Sequence, residues 1–522
     1  MKLSALTAVA LLVPLAAASV TASLAAPAAS SETSAAALLD RLVAEPARAR
    51  VFLRAMPKGA DLHNHLSGAV YAENYLRWAT ESGLCVQVDT RTLSKPPCAD
   101  GRRPLADVLR ETPALGNTLI DAMSMRDFTP EPDRPAPNNL SLGDASGHDH
   151  FFATFARFDE ASTGHVGEMM AEAANRAAED NISYLELMWY PRVRESAAGG
   201  LKHPWHGNDF AADARELDGD IPTLLAEARA DTDAAEKRMH EVLGCDGPAP
   251  QPGCRVTVRY MTQLLRVLPP QAVFAQLAYS FALVQADRRF VGINIVAPED
   301  NPVALRDYDL HMRAFRFFHT QHPEIRLSLH AGELTMGLVP PEELRFHIRE
   351  AIEVAGASRI GHGVDISFED DAPGLLAEMR AKHVDVEINQ TSNDVILGVR
   401  GQAHPFFLYR AAGVPMSLST DDEGVSRIDL TNEFLRAATD WHVRYPELKT
   451  MARHSLRYSF LPGADLLGDG DKVAGPCAGA DPERAPPAAC ASFLHASEKA
   501  TQQWRLEADL SRFERRITAE RF

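Results

Sequence analysis

From residue 255 onward, short β-branched apolar runs alternate with helical patterns, and this alternation most constrains what the chain can fold into. The runs cover 256–265, 290–296, 325–329, 359–366, 384–388 and 415–418, with helical patterns such as 341–355 and 372–382 between them. Strands alternating with helices imply a parallel sheet, and the ~30-residue spacing of the later runs is that of a βα unit. Upstream, 59–62 and 182–189 have the same strand character. Eight such strands are the number in a closed (β/α)8 TIM barrel, an α/β fold.

The connection between the first two strands is long, roughly 120 residues, too long for a single crossover helix. It contains the Cys85/Cys98 loop, a Pro-rich stretch at 129–137 and a helical segment from Phe151 to about Arg157. A second insertion, 194–254, carries a charged helix at 221–243. Both read as excursions over the barrel's top face, where loops carry function. The rival reading is a separate small domain over 80–150. The barrel unit is thus 58–522, with insertions at about 80–150 and 194–254. It is preceded by an Ala-rich segment at 26–57 that leads into a helix over 35–54. Residues 491–517 alternate charged and apolar positions like an amphipathic helix.

Composition excludes some functions. With 45% hydrophobic and 24% charged residues the chain is globular, and 53 Lys+Arg against 71 Asp+Glu give a net charge of −18. Binding duplex nucleic acid requires a basic face, which this chain lacks. Residues 1–25 have the pattern of an export signal: Lys2, an apolar core over 5–18, and a small-residue cleavage site at Ser23-Leu24-Ala25 or Ala16-Ala17-Ala18. An uncleaved anchor is the alternative; once cleaved, the protein has no membrane segment. The six cysteines fall as Cys85/Cys98, Cys245/Cys254 and Cys477/Cys490, each pair closing a short loop. Nearest-neighbour disulfides are expected in an oxidising compartment, periplasmic or extracellular. A cysteine metal site is the alternative, although Cys-x-x-Cys is absent.

Four polar segments end the apolar runs: Asp61-Leu62-His63-Asn64-His65, His330-Ala331-Gly332-Glu333, Gly361-His362-Gly363 and Ser419-Thr420-Asp421-Asp422. In a (β/α)8 barrel the strand C-termini converge on one face, so these segments meet there. A two-residue period turns His63 and His65 to the same side. With His330 from strand five and Asp421 from strand eight, they form a set of three imidazoles and a carboxylate. That set suits one zinc ion per chain, with a position left for water. Taken singly, each residue has a plainer reading: a strand-end histidine is commonly a satisfied polar group, and Asp421-Asp422 could form a turn or cap a helix over 427–438. Their joint occurrence outweighs those readings. Glu333, near the metal and partly desolvated, is the candidate proton shuttle, since burial raises a carboxyl pKa. His362 can hold the proton of the attacking water and stabilise an oxyanion, or else be a fifth ligand or a core histidine. Asp422, turned away from the metal, can accept a hydrogen bond from substrate.

These segments together resemble the adenosine deaminase family of the metal-dependent amidohydrolase superfamily, over about 50–460. The signal pattern, insertions and cysteine pairs are most similar to its secreted adenosine deaminase growth factor type. The resemblance implies a hydrolase acting on a purine nucleoside, adenosine or 2′-deoxyadenosine, with release of ammonia. His63, His65, His330 and Asp421 would bind zinc. Glu333 would protonate purine N1, His362 would assist attack of water on C6, and Asp422 would hydrogen-bond N7. Three positions depart from the family pattern. Ser67 stands where an Asp usually meets the ribose, and Ala297 lies nearest a Gly whose amide meets purine N3. Glu423 stands where a Pro often follows the paired acids. Residues 389–393 resemble a segment lining the site and receive no catalytic role; a loop cap explains them equally. The signature of the other zinc deaminases, His-x-Glu with Pro-Cys-x-x-Cys, is absent.

Two other functions compete. One is hydrolysis of another aminopurine, such as adenine or AMP, or of an unrelated amide or ester. For AMP, Arg400 is the only nearby cation in the strand-seven loop. The other is a non-catalytic extracellular ligand on the same scaffold, which has no physical reason to keep the whole polar set. Homodimerisation through the insertions or the N-terminal helix is left open, since no residue pattern decides it.

Overall fold

All eight expected strands form, and they are parallel neighbours in chain order in the computed structural model, which describes residues 30–128 and 144–519. They are β1 (Gly59–His65), β2 (Ile182–Met188), β3 (Thr257–Leu265), β4 (Phe290–Val296), β5 (Arg326–Ala331), β6 (Arg359–His362), β7 (Asp385–Ile388) and β8 (Met416–Leu418). The expected export segment at 1–25 and the Pro-rich stretch at 129–137 lie outside the described residues. The ring closes just beyond β8. Asp421 N–H donates to His63 O at 2.8 Å and His65 N–H donates to Asp421 O at 3.0 Å. Beneath this seam, Thr420 Oγ1 donates to buried Asp61 Oδ2 at 2.6 Å.

Most differences from the sequence pattern have a local cause. β6 stops at His362 rather than continuing to 366, because His362 and Gly363 take φ of +70° and +59° and turn the chain. The expected 35–54 helix is two, Ser31–Leu42 and Pro46–Ala55, since Pro46 cannot supply a helical N–H and begins a new helix instead. The C-terminal pattern also divides, into Ala488–His495 and Glu498–Ala519; Ser497 Oγ accepts from Ala500 N at 3.0 Å and starts the second helix. The 341–355 pattern breaks into a 3-10 turn, one helical turn and a π turn, with Glu369 Oε1 accepting from Ile348 N at 2.7 Å. The helices Ile221–Leu243 and Ala372–Lys382 match their patterns.

The β1–β2 connection contains a three-stranded antiparallel sheet, with Cys85–Gln87 between Thr92–Ser94 and Arg103–Pro104, and several helices. The helix Gly147–Ser162 is longer than the 151–157 segment expected. It stacks Phe158 on Tyr75 at 4.5 Å between ring centroids. Its first turn reaches the loop after β4 and the helix Gln390–Leu397 after β7. His148 meets Asp300 at 3.1 Å, and a Cβ at Gly147 would lie 2.0 Å from Val395 O. The insertion therefore spans strand-end loops at the mouth. At the opposite end, the helices Tyr445–Arg457 and Glu498–Ala519 close the base: a Cβ at Gly59 would lie 2.4 Å from Ala452 O and 3.3 Å from Leu506. The three disulfides are Cys85–Cys98, Cys245–Cys254 and Cys477–Cys490. Among the described residues, no helix is long and apolar enough to cross a membrane.

The seam offers a test. Thr420→Val keeps the shape but removes the donor to buried Asp61, which should cost about 1–3 kcal/mol and lower the denaturant midpoint. An unchanged midpoint would show that Asp61 does not need this bond.

Candidate active site

At the barrel mouth, β1, β5 and the residues after β8 bring four side-chain atoms to one point. His63 Nε2 lies 3.1 Å from His330 Nε2 and 3.4 Å from Asp421 Oδ1. His65 Nε2 lies 3.3 Å from each of the same two atoms. An ion with tetrahedral bonds of ~2.0–2.1 Å has ligand–ligand edges of about 3.3–3.4 Å, and these four of the six edges lie close to that length, which suits a zinc-sized ion. All four residues are buried. His362 belongs to a looser set, with ligand atoms within 4.8 Å of His63, His330 and Asp421. Its Nε2 stands 3.7 Å from Asp421 Oδ2, outside the tight edges.

The far side of each ring explains its orientation. His63 Nδ1 donates to Glu387 Oε2 at 2.7 Å, and His65 Nδ1 donates to Gln263 Oε1 at 3.0 Å. His330 Nδ1 donates to Asn294 Oδ1 at 2.9 Å, the same oxygen that accepts from the backbone amides of Ile295 and His330. With each Nδ1 proton held outward by an oxygen, the Nε2 lone pairs are left facing inward, as metal binding requires. Gly361 makes room for this: a Cβ there would lie 2.7 Å from His63 Cε1. Burial, the largest influence, opposes charge on His63. The hydrogen bonds to Asp421 and Glu387 overcome it and hold the pKa up at about 10 when no ion is present. A cation would take the place of that proton. Burial, then the neighbouring imidazoles, push His330 well below the usual histidine range.

Behind His63 lies a buried charge chain. Glu387 Oε1 pairs with Arg359 Nε at 2.6 Å and accepts from Ser328 Oγ at 2.7 Å, and Arg359 Nη2 pairs with Glu186 Oε2 at 2.7 Å. Burial pushes the Glu387 pKa up, but Arg359 and His63 hold it at about 2, so it stays a carboxylate.

The remaining expected residues surround the cluster. Glu333 is buried, and its Oε1 has no hydrogen-bond partner; it lies 3.4 Å from His362 Nδ1. The Glu333 loop is clamped by Glu299, which accepts from Gly332 N at 3.1 Å, Glu333 N at 2.9 Å and His347 Nδ1 at 2.6 Å. Burial, then the charges of Asp421 and Glu299, raise the Glu333 pKa well above the usual carboxyl range. Asp422 is raised by burial and by Asp421, and its Oδ1 is buried without a partner. It lies directly against Gly68, where a Cβ would fall 1.5 Å from Oδ1. The helix expected over 427–438 is Leu430–Asp440 and is capped by Asp429, so neither Asp421 nor Asp422 caps it. Ser67 is half-buried beside Gly68, with its carbonyl accepting from Tyr75 OH at 2.6 Å. Ala297 follows β4 at φ +80°, a region that favours glycine. Glu423 is buried, and burial raises its pKa well above the usual range. Arg400 is exposed and faces Asp394 at 3.8 Å.

Sequence reasoning missed most of the residues that orient this set, Gln263, Asn294, Arg359, Glu387 and His404, and placed Asn393 in the 389–393 segment lining the site without giving it a role. For the strand residues the signal was polarity at buried positions of otherwise apolar strands, as in Asp385-Val386-Glu387-Ile388.

The fold and cluster define a (β/α)8 barrel with metal-binding geometry at its C-terminal mouth. The chain belongs to the adenosine deaminase family, whose profile matches residues 146–468. The match begins downstream of His63 and His65, and their convergence with His330 and Asp421 ties β1 to the matched region. An adenosine deaminase of Clostridium perfringens (strain ATCC 13124) is 29% identical over 185 residues, 34% of this chain and 51% of that relative. The chain thus spans about half the length of that relative. One from Mycobacterium sp. (strain KMS) is 27% identical over 350 residues, 62% of this chain and 83% of the relative. Among solved structures, Arabidopsis ADAL complexed with GMP aligns with a TM-score of 0.51 at 18% identity, covering 79% of this chain and 94% of that one. Arabidopsis N6-mAMP deaminase MAPDA aligns with the same TM-score and identity, covering 79% and 96%. At that identity the likeness shows the fold.

The Glu387 contact predicts metal affinity. Glu387→Gln should weaken zinc binding by about 10–100-fold in a chelator competition. Unchanged affinity would remove Glu387 from the metal centre.

Proposed function

We propose that the chain is an exported, zinc-dependent deaminase that converts adenosine or 2′-deoxyadenosine, with water, into inosine or its 2′-deoxy form and ammonia. The observation carrying this reading is the pair of buried, unpartnered carboxyl oxygens, Glu333 Oε1 and Asp422 Oδ1, beside a His3Asp cluster whose atoms approach one another to 3.1–3.4 Å. A buried polar atom without a partner is costly, and a bound aminopurine would supply partners for both. When bound, a divalent ion at the cluster lowers the pKa of water and supplies a nucleophile at neutral pH. Glu333, kept protonated by its surroundings, donates to ring N1 and draws electron density from C6. Asp422, raised by burial and Asp421 and so able to carry a proton, donates to N7 rather than accepting from substrate and orients the ring, a polar contact that an unrelated amide or ester would not make. His362 faces the attacking oxygen, and the strained Ala297 amide borders the N3 edge. Ser67 offers a hydroxyl to the sugar. The donor set and its edges support zinc; the pattern of residues 1–25 and the three disulfides support export as a secreted-type member. A second reading rests on Ser67: with no carboxylate at that position to favour a ribose, adenine or AMP is the alternative substrate.

Purified protein should release ammonia fastest from adenosine or 2′-deoxyadenosine among these two, adenine and AMP, and chelation should abolish release. No release from any of the four sinks the reading, while release from adenine or AMP alone selects the alternative. Glu333→Gln should retain the metal and lose turnover by about 10²–10⁴-fold; near-normal turnover removes Glu333 as proton donor.

The raised Glu333 pKa also sets a pH limb. A donor must be protonated, so kcat/KM should fall with rising pH as Glu333 deprotonates, at a pH well above the ordinary glutamic-acid range. A fall already complete between pH 4 and 5 on rising pH, as for an ordinary glutamic acid, would contradict this.

A further inference from the structure

We propose that Asn393 and His404 are positioning residues that place the proton of His362 on Nε2, making His362 a hydrogen-bond donor at the cluster rather than a metal ligand. The inference rests on the deaminase reading for its kinetic consequence, but not for its structural claim. A chain of three hydrogen bonds runs away from the cluster behind His362. Asn393 Nδ2 donates to His362 Nδ1 at 2.9 Å, His404 Nε2 donates to Asn393 Oδ1 at 3.0 Å, and Phe406 N–H donates to His404 Nδ1 at 3.1 Å. His362, Asn393 and His404 are all buried.

The direction of this chain follows from its last member. A backbone N–H can only donate, so His404 Nδ1 must present a lone pair and the His404 proton sits on Nε2. The Asn393 atom meeting that proton must be its oxygen, which sends the amide NH2 toward His362. His362 Nδ1 therefore accepts, and its proton sits on Nε2, on the side facing Asp421 Oδ2 at 3.7 Å. Asn389 Nδ2, 3.5 Å from both ring nitrogens, and Glu333 Oε1, 3.4 Å from Nδ1, both lie too far to compete with the 2.9 Å bond from Asn393. Asn393 is held on the helix Gln390–Leu397, with its N–H donating to Asn389 O at 2.9 Å and its carbonyl accepting from Val399 N at 3.1 Å. The His404 ring lies against Trp441, 4.8 Å between centroids.

The contrast with the other three histidines is chemical. His63, His65 and His330 each meet an oxygen acceptor at Nδ1, which leaves an inward lone pair for a cation. His362 meets a donor there, so its inward atom carries a proton and cannot ligate. An inward N–H is suited to holding the attacking oxygen and, later, negative charge as it develops. Asn393 and His404 do not touch the reacting atoms; they act through His362.

Asn393→Asp separates positioning from packing. It keeps the shape but replaces the donor with an acceptor, which draws a proton onto His362 Nδ1. In the zinc-loaded full chain, kcat should fall by about 10²–10⁴-fold, as expected for an imidazole held in the wrong tautomer. KM and zinc content should stay near wild type. His404→Gln, which can still offer an N–H to Asn393, should retain kcat within about tenfold, while His404→Ala should lose more. The direct readout needs no turnover. In nitrogen-15 histidine spectra of zinc-loaded protein, the His362 signals, assigned by their loss in His362→Gln, should show Nδ1 bare and Nε2 protonated, with Nδ1 protonated in Asn393→Asp. A wild-type His362 protonated on Nδ1, or Asn393→Asp with near-normal kcat, overturns the proposal. If Asn393→Asp fails to fold, the wild-type spectrum and the His404 pair decide. A wild-type protein inactive on every aminopurine removes the deaminase reading, and the spectrum still tests the tautomer.

Discussion

The Glu387 carboxylate is the contact on which the site most depends, because it belongs to the barrel core and to the metal centre at once. One oxygen accepts a hydrogen bond from His63 Nδ1 and the other pairs with Arg359, whose guanidinium reaches Glu186 and lies 3.7 Å above the Phe460 ring. A charge chain buried this deeply is a poor source of net stability, since desolvation offsets most of the attraction. Its value lies in direction. With Arg359 beside it, Glu387 remains ionised despite burial, and an ionised oxygen at 2.7 Å permits only one tautomer and a narrow range of ring angles for His63. Gly361 on the neighbouring strand leaves the space that this ring orientation needs.

Three residues of this face also carry backbone strain. Ala297, His362 and Asp421 sit at φ of +80°, +70° and +61°, directly after or at the ends of β4, β6 and β8. Each such residue costs on the order of 1–3 kcal/mol and persists only where its surroundings over-determine it. Asp421 is held by its two backbone bonds to β1, which also close the barrel. His362 is held by strand pairing on one side and Asn393 on the other. Closure of the ring and construction of the site are therefore one event: the bonds that complete the barrel aim the carboxylate at the three imidazoles.

The barrel was legible in the sequence because its signal is repetitive. Eight apolar runs with helical spacers identify the fold even where individual ends are misjudged, as at β6 and the 341–355 segment. The cluster was legible because histidines and acids at successive strand ends are conspicuous. What escaped was the orienting layer. Gln263, Asn294 and Glu387 sit inside strands, where a polar residue looks like an interruption of the pattern until the barrel interior shows what it faces. Asn393 and His404 were harder still: they lie 31 and 42 positions from His362, on a helix and a loop with no period to reveal their meeting.

That layer also shows why residue type alone does not assign roles at such a site. Asn294 and Asn393 are the same amino acid, each bonded to Nδ1 of a buried histidine, yet they confer opposite functions. Asn294 presents its oxygen because two backbone amides, those of Ile295 and His330, already require an acceptor there. Asn393 presents its NH2 because His404, itself fixed by the Phe406 amide, requires the oxygen. Backbone donors thus decide, at one and two removes, which imidazole offers a lone pair to a cation and which offers a proton to an oxygen. The sequence supplies histidines at the barrel mouth, and the polarity of the fold around them separates ligand from hydrogen-bond donor.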